Sequence, residues 1–143
     1  MKNLLLLPLF FAAFGASAAC KPVVSDAVLR VAPGGMGMAA GYFRIDNPCS
    51  SAVVLNRAAS PAFRSVSIHQ TVSVDGVSRM RALPSMTLAR GDRALFAPGG
   101  LHIMFMQASR ALPPVGSRVP VTLSGPGWSL TTSFVVRSAA SPD

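Results

Sequence analysis

The sequence is a succession of short apolar runs, many alternating with polar residues, and no long stretch has the periodicity of a helix. Alternation with a period of two residues is typical of β-strands that bury one face. Twelve glycines and twelve prolines separate the runs and mark turns between them. The pattern predicts strands over residues 27–31, 39–46, 52–58, 65–74, 77–83, 93–97, 101–107, 117–123 and 129–137. Many short strands with regular turns favour an all-β sandwich or barrel.

One hairpin carries the first candidate ligands. The dipeptide Asp75-Gly76 favours a two-residue type I′ turn between strands 65–74 and 77–83. That register places His69 opposite Ala82 and Met80 opposite Thr71. His69 and Met80 then share one face as diagonal neighbours, about 7–8 Å apart at Cα, so one ion between their tips can contact both.

The second candidate pair is His102 and Met104, which share a face because they lie two residues apart on one strand. Together with His69 and Met80 they form a set of two imidazoles and two thioethers. Thioether is a soft ligand and imidazole suits copper. Four neutral ligands do not offset the charge of the bound ion. They therefore suit the single charge of Cu(I) better than the double charge of Zn(II). The two pairs together predict a copper site, although either pair alone is better explained by a structural histidine and a core methionine.

Three further methionines have two interpretations. Met106 shares the face of His102 and Met104, one step further along, as an alternative ligand or as packing. Met36 and Met38 lie in a glycine-rich loop, where they are auxiliary ligands if the loop reaches the site and exposed side chains if it does not.

The spacing of the four candidates resembles the signature of a known family. His69, Met80, His102 and Met104 follow the pattern H-x10-M-x21-H-x-M, which is similar to that of the periplasmic copper chaperone family PCu(A)C. The flanking segments "AAGYFRIDN", "GVSRMR" and "APGGLHIMFM" agree with it, and the likeness covers about residues 31–123. One departure is Gln70, where many members have methionine.

The resemblance implies a fold and a role. It implies a cupredoxin-like Greek-key β-sandwich with Cu(I) held by His69, Met80, His102 and Met104. It also implies copper transfer towards the binuclear copper centre of cytochrome c oxidase, sometimes alongside a second, thiol-bearing chaperone. Some relatives carry a tail rich in histidine and methionine, but the tail 137–143 has neither residue.

The N-terminus predicts export. Lys2, an apolar run over 4–14 and Ala16-Ser17-Ala18 form a secretory signal peptide over residues 1–18. Residues 19–143 then form a single exported domain, which we expect in the periplasm without stable membrane insertion. Export argues against a nucleic-acid partner for a chain of net charge +8. An acidic docking partner, an anionic membrane surface and a charge that merely confers solubility remain open.

The two cysteines have two interpretations. Cys20 and Cys49 are the only cysteines and are expected to form a disulfide in an oxidising compartment. Alternatively, Cys20 is the lipidated first residue of a lipoprotein, although the usual leucine three positions before it is missing.

The composition indicates binding and release instead of catalysis. No Ser/His/Asp set or carboxylate pair stands out, so we expect a protein that is not an enzyme. We also expect a monomer. A blue-copper electron carrier needs a thiolate ligand, and no cysteine lies near His102. Two alternatives remain: a copper storage or tolerance protein with the same site, and a β-sandwich interaction module without metal.

Overall fold

The computed structural model describes residues 19–32 and 34–140, and this part of the chain contains eleven β-strands and no helix. The predicted signal peptide lies outside the described residues. The strands are β1 (Val23–Val31), β2 (Ala39–Asp46), β3 (Val53–Leu55), β4 (Arg57–Ala59), β5 (Phe63–Val74), β6 (Val77–Ala82), β7 (Met86–Leu88), β8 (Arg93–Phe96), β9 (Leu101–Ala108), β10 (Arg118–Gly125) and β11 (Trp128–Ser138). The all-β prediction is therefore confirmed.

Nine strands form one curled sheet in the order β4-β10-β11-β1-β2-β8-β9-β5-β6, and β3 pairs with β7 in a small second sheet. β1 joins the two halves, because it pairs in parallel with β11 and antiparallel with β2. The two halves enclose a core of aromatic side chains. Phe134 on β11 lies 5.6 Å from Phe43 on β2 and 6.2 Å from Phe105 on β9, measured between ring centroids.

Alternation along the central strands separates the core from the outer face of the sheet. On β9, Ile103 and Phe105 are fully buried in the core. Since successive side chains of a strand point to opposite faces, His102, Met104 and Met106 lie on the outer face. The core residues fix this orientation, because a shift of one residue would place two large apolar side chains in water.

Two details of the strand prediction were wrong. The stretch 52–58 is not one strand, because the chain leaves one sheet and enters the other at Asn56, whose N–H donates to the Ser124 carbonyl. β3 before it pairs with β7, and β4 after it pairs with β10. β7 itself was missed, since its three residues are too few to show a period.

The predicted disulfide is confirmed: Cys20 is bonded to Cys49, with their Cα atoms 5.8 Å apart. Cys49 lies in a turn that the buried side chain of Asn47 organises. The Asn47 Oδ1 atom accepts the Cys49 N–H at 2.9 Å, and its Nδ2 donates to the carbonyl oxygens of Leu88 and Ala89. The bond ties the start of the described chain to this turn.

In the part of the chain that the structure describes, no helix is long and apolar enough to span a membrane.

Candidate metal centre

The β5–β6 hairpin has the predicted register. Asp75 and Gly76 both have positive φ, 51° and 74°, as a type I′ turn requires. His69 pairs with Ala82, and Thr71 pairs with Met80. Met80 therefore lies on the same face as His69, one diagonal step away.

The neighbouring strand β9 brings the second pair to the first. β5 and β9 are antiparallel, and His69 lies directly opposite His102. Their ring centroids are 5.8 Å apart, with an angle of 52° between the ring planes. Both histidines of the chain thus lie side by side on the outer face of the sheet.

The ring of His102 contacts both a carbonyl and a thioether. Its Nδ1 lies 3.0 Å from the Gly100 carbonyl oxygen, and its Nε2 lies 3.0 Å from the Met80 Sδ atom. A neutral imidazole has one N–H, and the carbonyl oxygen can only accept. Once Nδ1 donates to Gly100, the Nε2 lone pair faces the lone pairs of a sulfur that cannot donate. A soft cation held by these two atoms satisfies both.

Burial differs strongly between these two side chains. His102 is 5% exposed and Met80 is 59% exposed. The contact therefore joins a ligand fixed in the sheet to a ligand at the protein surface.

His69 has a lone pair on Nδ1 for a metal ion in the tautomer whose Nε2–H donates to Ser67. Its Nε2 is hydrogen-bonded to the Ser67 hydroxyl at 2.9 Å, and its Nδ1 is buried without a hydrogen-bond partner. Partial burial lowers the pKa of His69 below its ordinary value, and a charge on His102 lowers that pKa further. Both effects favour the neutral imidazole, which is the form that binds metal.

Met104 lies on the same face, one step further along β9. It pairs with Ser67 on β5 and with Ala40 on β2. Its side chain lines a surface cavity of about 320 Å³ together with Met38 and Tyr42. The structure thus places the rings of His69 and His102 side by side and the Met80 sulfur against the His102 ring. Met104 occupies the adjacent position on the same face of β9.

The three auxiliary candidates lie in different surroundings. Met38 shares the cavity of Met104 and is 39% exposed. Met106 pairs with Ser65 on the outer face and is half-buried. Met36 is 86% exposed, so its side chain makes little contact with the fold.

Two residues that position the histidines were absent from the sequence prediction. Ser67 bonds His69, and the Gly100 carbonyl accepts from His102. Ser67 lies two residues before His69 on β5, so the alternation of strand faces indicates that the two side chains share a face. The Gly100 carbonyl belongs to the backbone, and no pattern of side chains indicates it. Gln70, in contrast, pairs with Arg81 and is exposed on the face away from the site.

The donor set is soft. Among the described residues, no group of three or more His, Cys, Asp and Glu side chains is placed to hold a metal ion. Carboxylates suit magnesium, calcium and manganese, whereas imidazole and thioether suit copper. The chemistry of the cluster therefore fits copper.

The fold is shared with copper-binding domains of known structure. The copper-bound PCuAC domain from PmoF2 is 23% identical, with a TM-score of 0.68 over 85% of this chain and 96% of that chain. The solution structure of CuI-DR1885 from Deinococcus radiodurans is 28% identical, with a TM-score of 0.67 over 89% of this chain and 85% of that chain. The protein therefore has the PCuAC fold, and the predicted cupredoxin-like β-sandwich is confirmed.

Sequence comparison defines the family. Residues 23–126 match the family described as "Putative lipoprotein LpqE-like", and the chain belongs to this family. A relative from Leifsonia xyli subsp. xyli (strain CTCB07), "Putative lipoprotein Lxx21020", is 34% identical over 101 residues, which are 70% of this chain. The matched region spans 59% of that relative's length.

Proposed function

We propose that this protein is an exported copper chaperone that binds one Cu(I) ion through His69, Met80, His102 and Met104. The observation that carries the proposal is the 3.0 Å approach of the His102 Nε2 atom to the Met80 sulfur, beside the ring of His69. Copper-bound structures with the same fold, including CuI-DR1885, support copper as the ion.

The proposed activity is binding and release without turnover. Copper moves by ligand exchange at an exposed thioether, and its oxidation state does not change. Thioethers suit an oxidising compartment because they do not form disulfides. Met104 completes the site by rotating from its cavity towards His69, while Met38 and Met106 supply further sulfur on the same face.

The proposed location is outside the cytoplasm. The Cys20–Cys49 disulfide supports an oxidising compartment, and the family description as lipoproteins supports export. We place the protein in the periplasm, and the proposed acceptor is the oxidase copper-centre subunit or a second copper chaperone.

An anaerobic titration tests the copper site. The exported form competes for Cu(I) with a chromophoric chelator, and X-ray absorption identifies the neighbours of the bound ion. We expect one Cu(I) per chain with mixed nitrogen and sulfur neighbours. A protein that leaves all of the copper with the chelator would contradict the proposal. Oxidase activity of a deletion strain at low copper tests the proposed acceptor.

A further inference from the structure

One long strand edge is free beside the candidate copper site. β6 is the terminal strand of the nine-stranded sheet, and all six of its residues are exposed. The opposite terminal strand, β4, has three residues and lies beside β5. Among the described strands of the large sheet, β6 therefore presents the longer unpaired edge.

The ladder shows which backbone groups lie at this edge. The Leu83 N–H donates to the Ile68 carbonyl at 2.8 Å. In an antiparallel pair, alternate residues direct both backbone groups to the partner strand. Arg79 and Arg81 therefore direct theirs to β5, whereas Ser78, Met80 and Ala82 direct theirs away from the sheet. The backbone of the candidate ligand Met80 is itself at the free edge.

The two faces of β6 differ in chemistry. Met80 lies on the outer face with the histidines. Arg79 and Arg81 lie on the opposite face, are exposed, and form no ion pair with any described residue. At the end of β6, Ala82 borders a cavity of about 650 Å³ that two further exposed arginines line, Arg57 and Arg64. Charge along an edge strand opposes pairing with a second copy, so the edge fits an acidic strand.

We propose that β6 is the docking strand for the protein that exchanges copper with this one. An extended acidic segment of that partner adds to the sheet along Ser78–Ala82, with its carboxylates on the face of Arg79 and Arg81. Because side chains alternate along a strand, the residues between its carboxylates lie on the Met80 face. There a thiol of the partner lies within reach of copper.

The transfer step is a ligand exchange. The bond between copper and the Met80 sulfur breaks as a bond between copper and the partner's sulfur forms, and the thiol proton passes to water. Copper remains monovalent, so the step needs no oxidant or reductant. The inference rests on the proposed copper function and adds to it the chemistry of the partner.

The test measures copper transfer to a synthetic peptide in which glutamates alternate with threonines and two cysteines replace the central threonines. A second peptide carries lysine in place of every glutamate. Copper transfer is followed by stopped-flow absorption of the copper–thiolate bonds. Cu(I) affinity is measured separately with a small chelator, which has no strand to add.

Two sets of variants test docking at the edge of β6 separately from copper binding. Arg79→Glu/Arg81→Glu reverses the charge of the docking face, and Arg90→Glu/Arg110→Glu makes the same change in charge at exposed positions outside β6. Ser78→Pro removes one outward N–H, and Ser78→Ala is its control.

We expect the Arg79/Arg81 variant to slow transfer to the glutamate peptide about tenfold or more at low ionic strength, the lower range of electrostatic steering. Its Cu(I) affinity and the rate of the control should stay unchanged. Ser78→Pro should slow transfer relative to Ser78→Ala, and the lysine peptide should react slowly with the unaltered protein.

Equal rates for the Arg79/Arg81 variant and its control, or for the two peptides, would overturn the docking proposal while leaving the copper site intact. An unaltered protein that binds no Cu(I) would overturn both proposals together.

Discussion

Replacement of Met80 by leucine separates copper binding from folding. Leucine keeps the apolar volume and removes the sulfur that approaches the His102 Nε2 atom at 3.0 Å. Met80 is 59% exposed on a terminal strand, so the change leaves the core untouched. Exposed substitutions of this kind alter the free energy of unfolding by less than about 0.5 kcal/mol. The melting temperature of the copper-free protein should therefore move by less than about 3 °C.

The effect on copper should be much larger. Loss of a residue that only supports a ligand costs about 10–100-fold in metal affinity. Loss of a ligand should cost at least as much, so we expect Met80→Leu to weaken Cu(I) binding more than about tenfold. The assay is competition with a chromophoric Cu(I) chelator, combined with thermal unfolding of the copper-free protein.

The matched control is Met86→Leu. Met86 lies on β7 and pairs with Leu55 in the small sheet, so the substitution removes a thioether elsewhere in the fold. It should leave copper affinity unchanged. If Met80→Leu binds Cu(I) as tightly as Met86→Leu does, Met80 is not a ligand and the site must be reassigned.

Three other predictions follow from the fold. His69 has a lowered pKa, so below its ordinary pKa of about 6.5 the unfolded chain takes up a proton that the folded chain does not. Urea unfolding should therefore show that the free energy of unfolding decreases as the pH falls below about 6.5. This pH dependence should be weaker in His69→Gln. Replacement of Cys20 and Cys49 by serine should lower the free energy of unfolding by about 3.5 kcal/mol, from the loop-entropy relation for a separation of 29 residues. The intact mass of the exported protein should show the loss of two hydrogens, whereas an acyl addition would show that Cys20 is lipidated. Gly41→Ala would place a Cβ atom 2.7 Å from the ring of Phe105, and calorimetry should show a loss of about 1–3 kcal/mol; unchanged stability would contradict this packing.

The hairpin that carries His69 and Met80 was predictable because its turn is local. A type I′ turn requires positive φ at both central positions, which the dipeptide Asp75-Gly76 adopts readily, and a two-residue turn fixes the register of the two strands. Once the register is known, the face of every side chain on the hairpin follows. The sequence therefore contains both the pairing of His69 with Ala82 and the diagonal approach of Met80.

The position of His102 opposite His69 was not predictable in the same way. β5 and β9 are distant in the chain and joined through three other strands, so no turn fixes their register. The register follows from burial, since Ile68 pairs with Ile103 in the core. Many registers place apolar residues together, and packing of the whole core selects one of them.

The hydrogen bond between Ser67 and His69 joins two residues on one face of β5, but it also depends on the rotation of each side chain. Side-chain rotation has no signature in the sequence, which is why the position of Met104 in its cavity also became visible only in the structure. The spacing motif identifies which residues form the candidate site. The fold shows how those residues differ in burial and in the strand that carries them.

These differences in burial predict the order in which the candidate ligands exchange. His102 is buried on an internal strand, and its ring is hydrogen-bonded to the Gly100 carbonyl, so we expect it to be the least mobile of the candidate ligands. Met80 is exposed on the terminal strand, where its side chain and its backbone both face solvent. An incoming ligand reaches Met80 before His102 and displaces it at the smallest cost in packing. If copper binds as proposed, it should leave the thioether on β6 first and the imidazole on β9 last. The same strand that offers the exchangeable ligand also offers the free edge, so a partner that adds to the edge is positioned at the ligand that is displaced first.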